Sequence, residues 1–286
     1  MSSLLVYLIN GLNTSALLLI AALGLMVILG LMKVINLAHG ELIMIGAYMS
    51  YFTSTVLGQN FFLGMTVSFI STAFLGIIIE KFIIKKLYKR PMETLLATFG
   101  LSIILQQVIT ITFGPELKYI AVPFDGYLKL GNIIIPLYNI FAIAMALSLI
   151  LFAWILFFKT SFGKKVRAIT QNRDICECLG IDTMKIDSYT FAFGSGLAGL
   201  AGAILSPIRS VSPFMGSSYL TDSFMTVVLG GTGSIFGISA ASAIVGESIA
   251  VLGGLSNEIM AKILVFLMVI VVIRFRPQGL FSKERR

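Results

Sequence analysis

The chain holds one histidine, His39, and two cysteines, Cys176 and Cys178. A zinc centre needs three or four His, Cys or carboxylate ligands, so a single histidine with no cysteine near it predicts no metal. The cysteines lie one residue apart, too close for an easy disulfide. No nucleophile is matched with a base at a spacing that builds an active site, and neither an enzyme nor a cofactor is expected. The remaining candidates are polar groups set inside long apolar runs. The densest is KVINLAHGE, Lys33 to Glu41, which places Asn36, His39, Gly40 and Glu41 between two hydrophobic stretches. One reading is a break lining the route or gate of a polar solute. The other is a tight surface turn in which Glu41 favours the dipole of the following helix.

Further along, Glu247 in SAIVGESIA has Gly246 and Ser248 as neighbours. It faces a pore or pairs with a polar group on another helix. Gln106 and Gln107, inside Leu95 to Phe113, line a path or tie helices together. GSGLAG, Gly194 to Gly199, matches a dinucleotide-binding pattern, but that loop must follow a strand in a soluble βαβ unit. Here the glycines sit in an apolar helix, where Gly194, Ala198 and Gly202 form a small-residue stripe for close packing. The cluster LGGTGSIFG, with Gly230, Gly231 and Gly233, interrupts a second apolar region. Phe162-Gly163-Lys164-Lys165 lacks the earlier glycine and the Ser or Thr of a phosphate-binding loop. ATP, if used, must bind another chain.

The elements that position these residues follow from composition. Of 286 residues, 57% are hydrophobic and 12% charged, with mean hydropathy +0.98, against about 25% charged in soluble domains. Such a chain cannot cover a globule with polar groups; its surroundings are lipid. A helix needs about 20 apolar residues to span a bilayer, and runs of that kind fall near 12–31, 42–57, 62–84, 95–113, 133–158, 187–207 and 259–275. Met1 to Asn10 has no basic region of the cleaved-signal kind. Residues 219–253 are expected either to enter and return or to form one span with a partial helix. The expected fold is an all-α polytopic membrane protein of about eight membrane-embedded helices, broken or re-entrant near 219–253.

The net charge of +8 raises nucleic-acid binding, until the basic residues are located. Lys and Arg near helix ends favour the cytoplasm. With the N-terminus outside, seventeen of the 21 fall inside: Lys33; Lys81, Lys85, Lys86, Lys89 and Arg90; Lys159, Lys164, Lys165, Arg167, Arg173 and Lys185; Arg274, Arg276, Lys283, Arg285 and Arg286. Lys118, Lys129, Arg209 and Lys262 fall on or near the outer side. This bias requires an even number of passes across 219–253. The charge is a topology signal, and no nucleic-acid partner is expected.

The one sizeable polar stretch, Lys159 to Lys185, predicts an amphipathic helix over Val166 to Leu179. Val166, Ile169, Ile175 and Leu179 lie near one face, Arg167, Gln171, Arg173, Asp174 and Glu177 mostly elsewhere, and Gly180 stops the helix. A partner protein could grip it; its acidic residues argue against a helix lying on an anionic leaflet.

At these residues a resemblance emerges. GLMKVINLAHGELIMIGAY, RAITQNRDICECLGID with the GSGLAGLAG helix, DSFMTVVLGGTGSIFG and RPQGLF together resemble the permease subunits of branched-chain amino acid ABC importers, in order and over nearly the whole chain. TQNRDICECLGID, FAFGSGLAGLAGAILS and DSFMTVVLGG look closest to the branch that imports urea and short amides. The resemblance implies one transmembrane permease domain over 1–286 in a bacterial inner membrane, with a cytoplasmic coupling segment at about 159–186. It implies a second related permease, two cytoplasmic ATP-binding subunits and an extracytoplasmic solute-binding protein. It places ATPase docking around Ala168, Asn172, Arg173 and Gly180. Cys176, Glu177 and Cys178 depart from the small residues common there, which leaves the contacts open. Urea or short amides are the expected solute, branched-chain amino acids the alternative.

Two rivals belong to other classes. A passive channel finds a faint likeness to an asparagine-proline-alanine motif in Asn36-Leu37-Ala38, but proline and a second copy are missing. An ion-coupled carrier would want paired carboxylates in the membrane, and Glu247 alone is thin support.

Overall fold

The computed structural model describes residues 2–281 except 89, 125, 131, 132 and 277, with the side chains of 2–6, 130, 133 and 258 left aside. Lys89, Lys283, Arg285 and Arg286 of the charge pattern, and Pro277 of RPQGLF, lie outside the described residues.

In chain order the helices are α1 (Ser2–Met26), α2 (His39–Tyr51), α3 (Phe61–Ile79), α4 (Lys85–Leu87), α5 (Pro91–Phe113), α6 (Leu137–Lys159), α7 (Ser161–Gln171), α8 (Arg173–Cys178), α9 (Thr183–Leu205), α10 (Met215–Gly230), α11 (Ile235–Leu255) and α12 (Glu258–Phe275). Helices α1, α2 and α3 each run into a π-helical turn, at Val27–Leu31, Phe52–Val56 and Glu80–Ile84. Six segments are long and apolar enough to cross a membrane: Tyr7–Leu31, Phe61–Leu87, Pro91–Phe113, Leu137–Lys159, Thr183–Leu205 and Ile235–Leu255. With six such segments among the described helices, the chain is an all-α polytopic membrane protein.

Helices α1 and α9 form the centre. Of their apolar windows 72% and 83% are buried within the chain, against 22% for α5 and α6, whose apolar faces are left for lipid or a partner. Small residues bring the central helices together, because interhelical association in lipid rests on close van der Waals packing. Of the expected stripe on α9, Gly194 meets Gly24 of α1 and Ile28 of the π-helical turn after it, Ala198 also approaches Gly24, and Gly202 meets Ile43 of α2; Gly196 and Gly199, off the stripe, meet Phe69 and Thr72 of α3.

The same contacts give the direction of each pass. Ser15 lies on Gly246 and Tyr7 on Gly254, so α11 runs antiparallel to α1. Tyr138 at the start of α6 donates to the carbonyl of Ile204 at the end of α9 (2.7 Å). Calling the face at the start of α1 upper, Leu280 lies at the lower face, where its N–H bonds Leu229 O of α10 (2.8 Å). Residues 219–253 lie on two helices, α10 descending and α11 returning. Their joint, Gly231–Ser234, lies at the lower face with Gly231 and Gly233 at φ 91° and 98°, and Gly230 packs on Gly237.

Two expectations need correction. Residues 133–136 do not begin a span: Tyr127–Leu130 (β1) and Ile133–Pro136 (β2) pair antiparallel. Pro136 disfavours helical backbone in the residue before it, and the β-branched Ile133, Ile134 and Ile135 suit a strand. The amphipathic helix over 166–179 is two helices. Asn172 is extended (φ −152°, ψ 103°) and its side chain accepts the Ile175 N–H (3.1 Å), capping α8. An asparagine at this position serves better as an N-cap than as helix interior.

Candidate functional site

The break at 33–41 is not a surface turn. Thr170 of α7 bonds the carbonyl of Leu31 (2.7 Å), which fixes the end of the first helix at the lower face. Lys33 then turns the chain with φ 57°. His39 Nε2 stands 3.3 Å from the carbonyl of Ala21, ten residues before Leu31, or about 15 Å back along the helix. Residues 32–38 therefore climb back into the interior, a distance seven extended residues can cover at roughly 3.3 Å each. Irregular backbone at this depth survives only where protein or water satisfies it. Here Leu37 N–H bonds Thr98 Oγ1 (3.1 Å) and Ala38 N–H bonds Asn36 Oδ1 (3.0 Å).

Helix α2 thus begins inside the protein, and so does α10. The carbonyl oxygen of each of Gly40 and Gly216 occupies the space a Cβ on the other would need. Two interrupted helices meet there by their N-terminal ends. Glu41, fully buried, lies in the first turn of α2, where a negative charge is favoured. Its Oε1 accepts from Gln106 Nε2 (2.7 Å) and Ser102 Oγ (3.1 Å) of α5; its Oε2 is buried without a hydrogen bond and faces Gly216. Asn36 Nδ2 and His39 Nδ1 are likewise buried and unsatisfied.

Gln106 also reaches Ser217 Oγ of α10 (3.4 Å). Ser217, Ser218 and Thr221 are exposed on the first half of α10, and Gln107 on α5. Hydroxyls and amides at this depth are poor neighbours for lipid. Gln106, Ser217 and Thr221 form a polar face where α5 approaches α10, suited to water or to a second protein surface; Ser218 instead lines a cavity with Thr14, Asp222 and Lys262. Glu247 lies elsewhere. Its carboxylate rests against Gly11 of α1, with Oε2 buried and unpartnered, so it is not part of this junction.

The second site is the connection from α6 to α9. Ile175 and Leu179 are 56% and 74% exposed, an apolar knob with Asp174, Glu177 and Cys178 beside it, while Cys176 is buried. Gly180, at φ 77°, closes α8. Ala168 and Gln171 of α7 border a lower cavity instead. Arg173 turns inward: it bonds Glu177 (3.2 Å), Thr183 (3.2 Å) and Asp187 (2.7 Å) and lies 4.8 Å over the ring of Tyr88. Tyr88 donates to Glu80 Oε1 (3.2 Å), and Ser188 to Glu80 Oε2. Burial pushes the Tyr88 phenol far above its usual range, with the Asp187 and Glu80 carboxylates adding to the effect, so it stays a neutral donor. One cluster therefore ties α8 to α9 and to the lower end of α3.

Sequence reasoning missed Ser102, Gly216, Ser217 and Thr221, and also Glu80, Tyr88 and Asp187. Glu80 inside the 62–84 run and Asp187 at the start of the 187–207 run carried a usable signal, since carboxylates at such places are expensive. The small hydroxyls and Gly216 carried none. Among the described residues, no group of three or more His, Cys, Asp or Glu could hold a metal.

Interrupted helices, a buried polar junction and a lipid-facing exterior define a polytopic membrane permease. The family model described as "Branched-chain amino acid transport system / permease component" matches residues 7–273, and the chain belongs to that family. The chain is a non-catalytic transport subunit. It is 26% identical to the high-affinity branched-chain amino acid transport system permease protein BraD of Pseudomonas aeruginosa, over 96% of this chain and 95% of that one. It is 27% identical to LivH of Salmonella typhimurium, described in the same words, over 96% and 94%. A ribose import permease, RbsC of Bacillus subtilis, is 38% identical over 92 residues, 32% of this chain and 28% of its own length. No solved structure matches.

Proposed function

We propose that the chain is the permease subunit of an ATP-driven importer, forming a translocation path for a branched-chain aliphatic amino acid against a second, related permease. The observation that carries this reading is the polar face of Gln106, Ser217 and Thr221 beside the Glu41 junction. The exposed polar residues at depth call for a facing surface and water between. Interrupted helices that meet inside the membrane are the common material of transporter sites. Their positive N-terminal ends and the Glu41 carboxylate suit a zwitterion in passing, with no fixed charge left to trap it.

The lower face, with its basic residues, is the cytoplasmic one. There two ATP-binding subunits grip α8 and the turn after it through Ile175 and Leu179. Arg173 passes the movement to α9 and α3, which repack on one another and on α2. Gly180, the α9 glycines and the Gly230–Gly233 turn are the joints. Alternating access of this kind requires packing with two stable arrangements. An extracytoplasmic binding protein delivers the solute to the upper face.

For the solute, the two full-length relatives named above favour the amino acid reading over urea or short amides, which find no support in them. Proteoliposomes carrying the permeases, the ATPase and the loaded binding protein test the whole proposal. Leucine, isoleucine or valine uptake is expected, abolished without ATP. Uptake of urea or acetamide that leucine does not inhibit would assign the other solute, and ATP-independent flux would make the chain a channel.

A further inference from the structure

A cavity of about 1040 Å³ opens at the lower face and is not part of the polar α5–α10 face. Helices α6 and α11 both lean on α1, and the cavity lies at their lower ends, between the end of α1, the start of α7 and the α10–α11 turn. Its charged lining is Lys33, Lys164 and Arg167, with no carboxylate among the described lining residues. Arg167 is held in place, its guanidinium 4.8 Å over the ring of Phe158 and its Nε donating to Gly163 O (3.4 Å). Beside the cations stand exposed aromatic rings, Phe158 (40%), Phe236 (71%) and Phe281 (48%). Three like charges around one space repel each other unless an anion sits between them. The rings around them suit an acyl chain and not a second aqueous domain.

We propose that this cavity binds the phosphodiester headgroup of an anionic phospholipid, with Lys33, Lys164 and Arg167 on the phosphate and an acyl chain along Phe158 and Phe236. Basic pockets at the membrane surface between transmembrane helices recognise such headgroups. Occupancy would brace the start of α7 against α1 and the α10–α11 turn, whatever solute the path carries.

The test is native mass spectrometry of the detergent-purified importer complex titrated with phosphatidylglycerol, phosphatidylcholine or sodium phosphate. Phosphatidylglycerol is expected to be retained over phosphatidylcholine. The double variant Lys164→Gln, Arg167→Gln should weaken it about 25-fold, at about fivefold for each cation removed. Lys118→Gln, near the opposite face, should change nothing, and an unchanged melting temperature shows the double variant folded. Equal retention of the two lipids overturns the proposal, as does full retention by the double variant. Displacement of phosphatidylglycerol by low-millimolar phosphate assigns the site to a free anion and overturns it too. Loss of the ATPase from the double variant with lipid binding intact assigns the cations to that partner and likewise overturns it.

Discussion

Glu41 Oε1 of α2 and Gln106 Nε2 of α5, 65 residues apart in the sequence, stand 2.7 Å apart. Gln106 joins them in turn to Ser217 of α10. Three elements thus share one buried carboxylate, and its removal leaves donors without a partner. Buried unsatisfied donors cost about 1–3 kcal/mol each. Glu41→Ala should lower the melting temperature of the purified permease by several degrees and abolish uptake. Glu41→Gln, which keeps the shape and one acceptor, should retain most of the stability and lose uptake. Equal melting of Glu41→Ala and the parent protein would contradict the junction.

Gly40 and Gly216 touch backbone to backbone, so the two helix starts have no room for a side chain. Gly40→Val or Gly216→Val should block assembly or transport. Gly100 of α5, where an added Cβ meets nothing within 4 Å, is the contrast. Gly100→Ala should be neutral or stabilise by up to about 1 kcal/mol through helix propensity. Expression and thermal melting of the three variants check this, and tolerance of valine at either junction glycine would count against it.

Arg173 and Leu179 separate two roles within one connection. Leu179→Asp removes exposed apolar surface and should cost ATPase association while leaving the permease as stable as before. Arg173→Ala breaks bonds to Asp187 and Thr183 and should leave much of the association while uptake falls and ATP hydrolysis persists. Arg173→Lys cannot bond Glu177, Thr183 and Asp187 together with a planar fork, and should resemble the alanine variant. Co-purification and paired uptake and hydrolysis assays measure both. Arg173→Ala with normal uptake would remove the cluster from the coupling route.

The passes were legible from sequence because a hydrophobic run of membrane length is read the same way by lipid and by a reader. From the basic residues came the expected entry and return over 219–253, where α10 and α11 run in opposite directions. Depth was not legible. Lys33 to Glu41 spells the same polar break whether it turns at the surface or climbs back inside; only the contact of His39 with Ala21 distinguishes them. The joint at Asn172 was hidden because helical periodicity continues across it, while a capping side chain overrides periodicity locally. Gly216 and Ser217 gained meaning only from Gly40 and Gln106, which no local pattern places beside them.

If the α5–α10 face lines an aqueous path, Thr221→Cys, in an importer whose Cys176 and Cys178 are replaced by serine, should be open to a charged, membrane-impermeant methanethiosulfonate. Leu147→Cys on α6, 62% exposed on an apolar face, is the lipid-facing reference. Thr221→Cys should react at least tenfold faster than Leu147→Cys, and binding protein loaded with leucine should slow it. A Thr221→Cys thiol as inert as that of Leu147→Cys would place this face in lipid or in a dry interface and contradict the account.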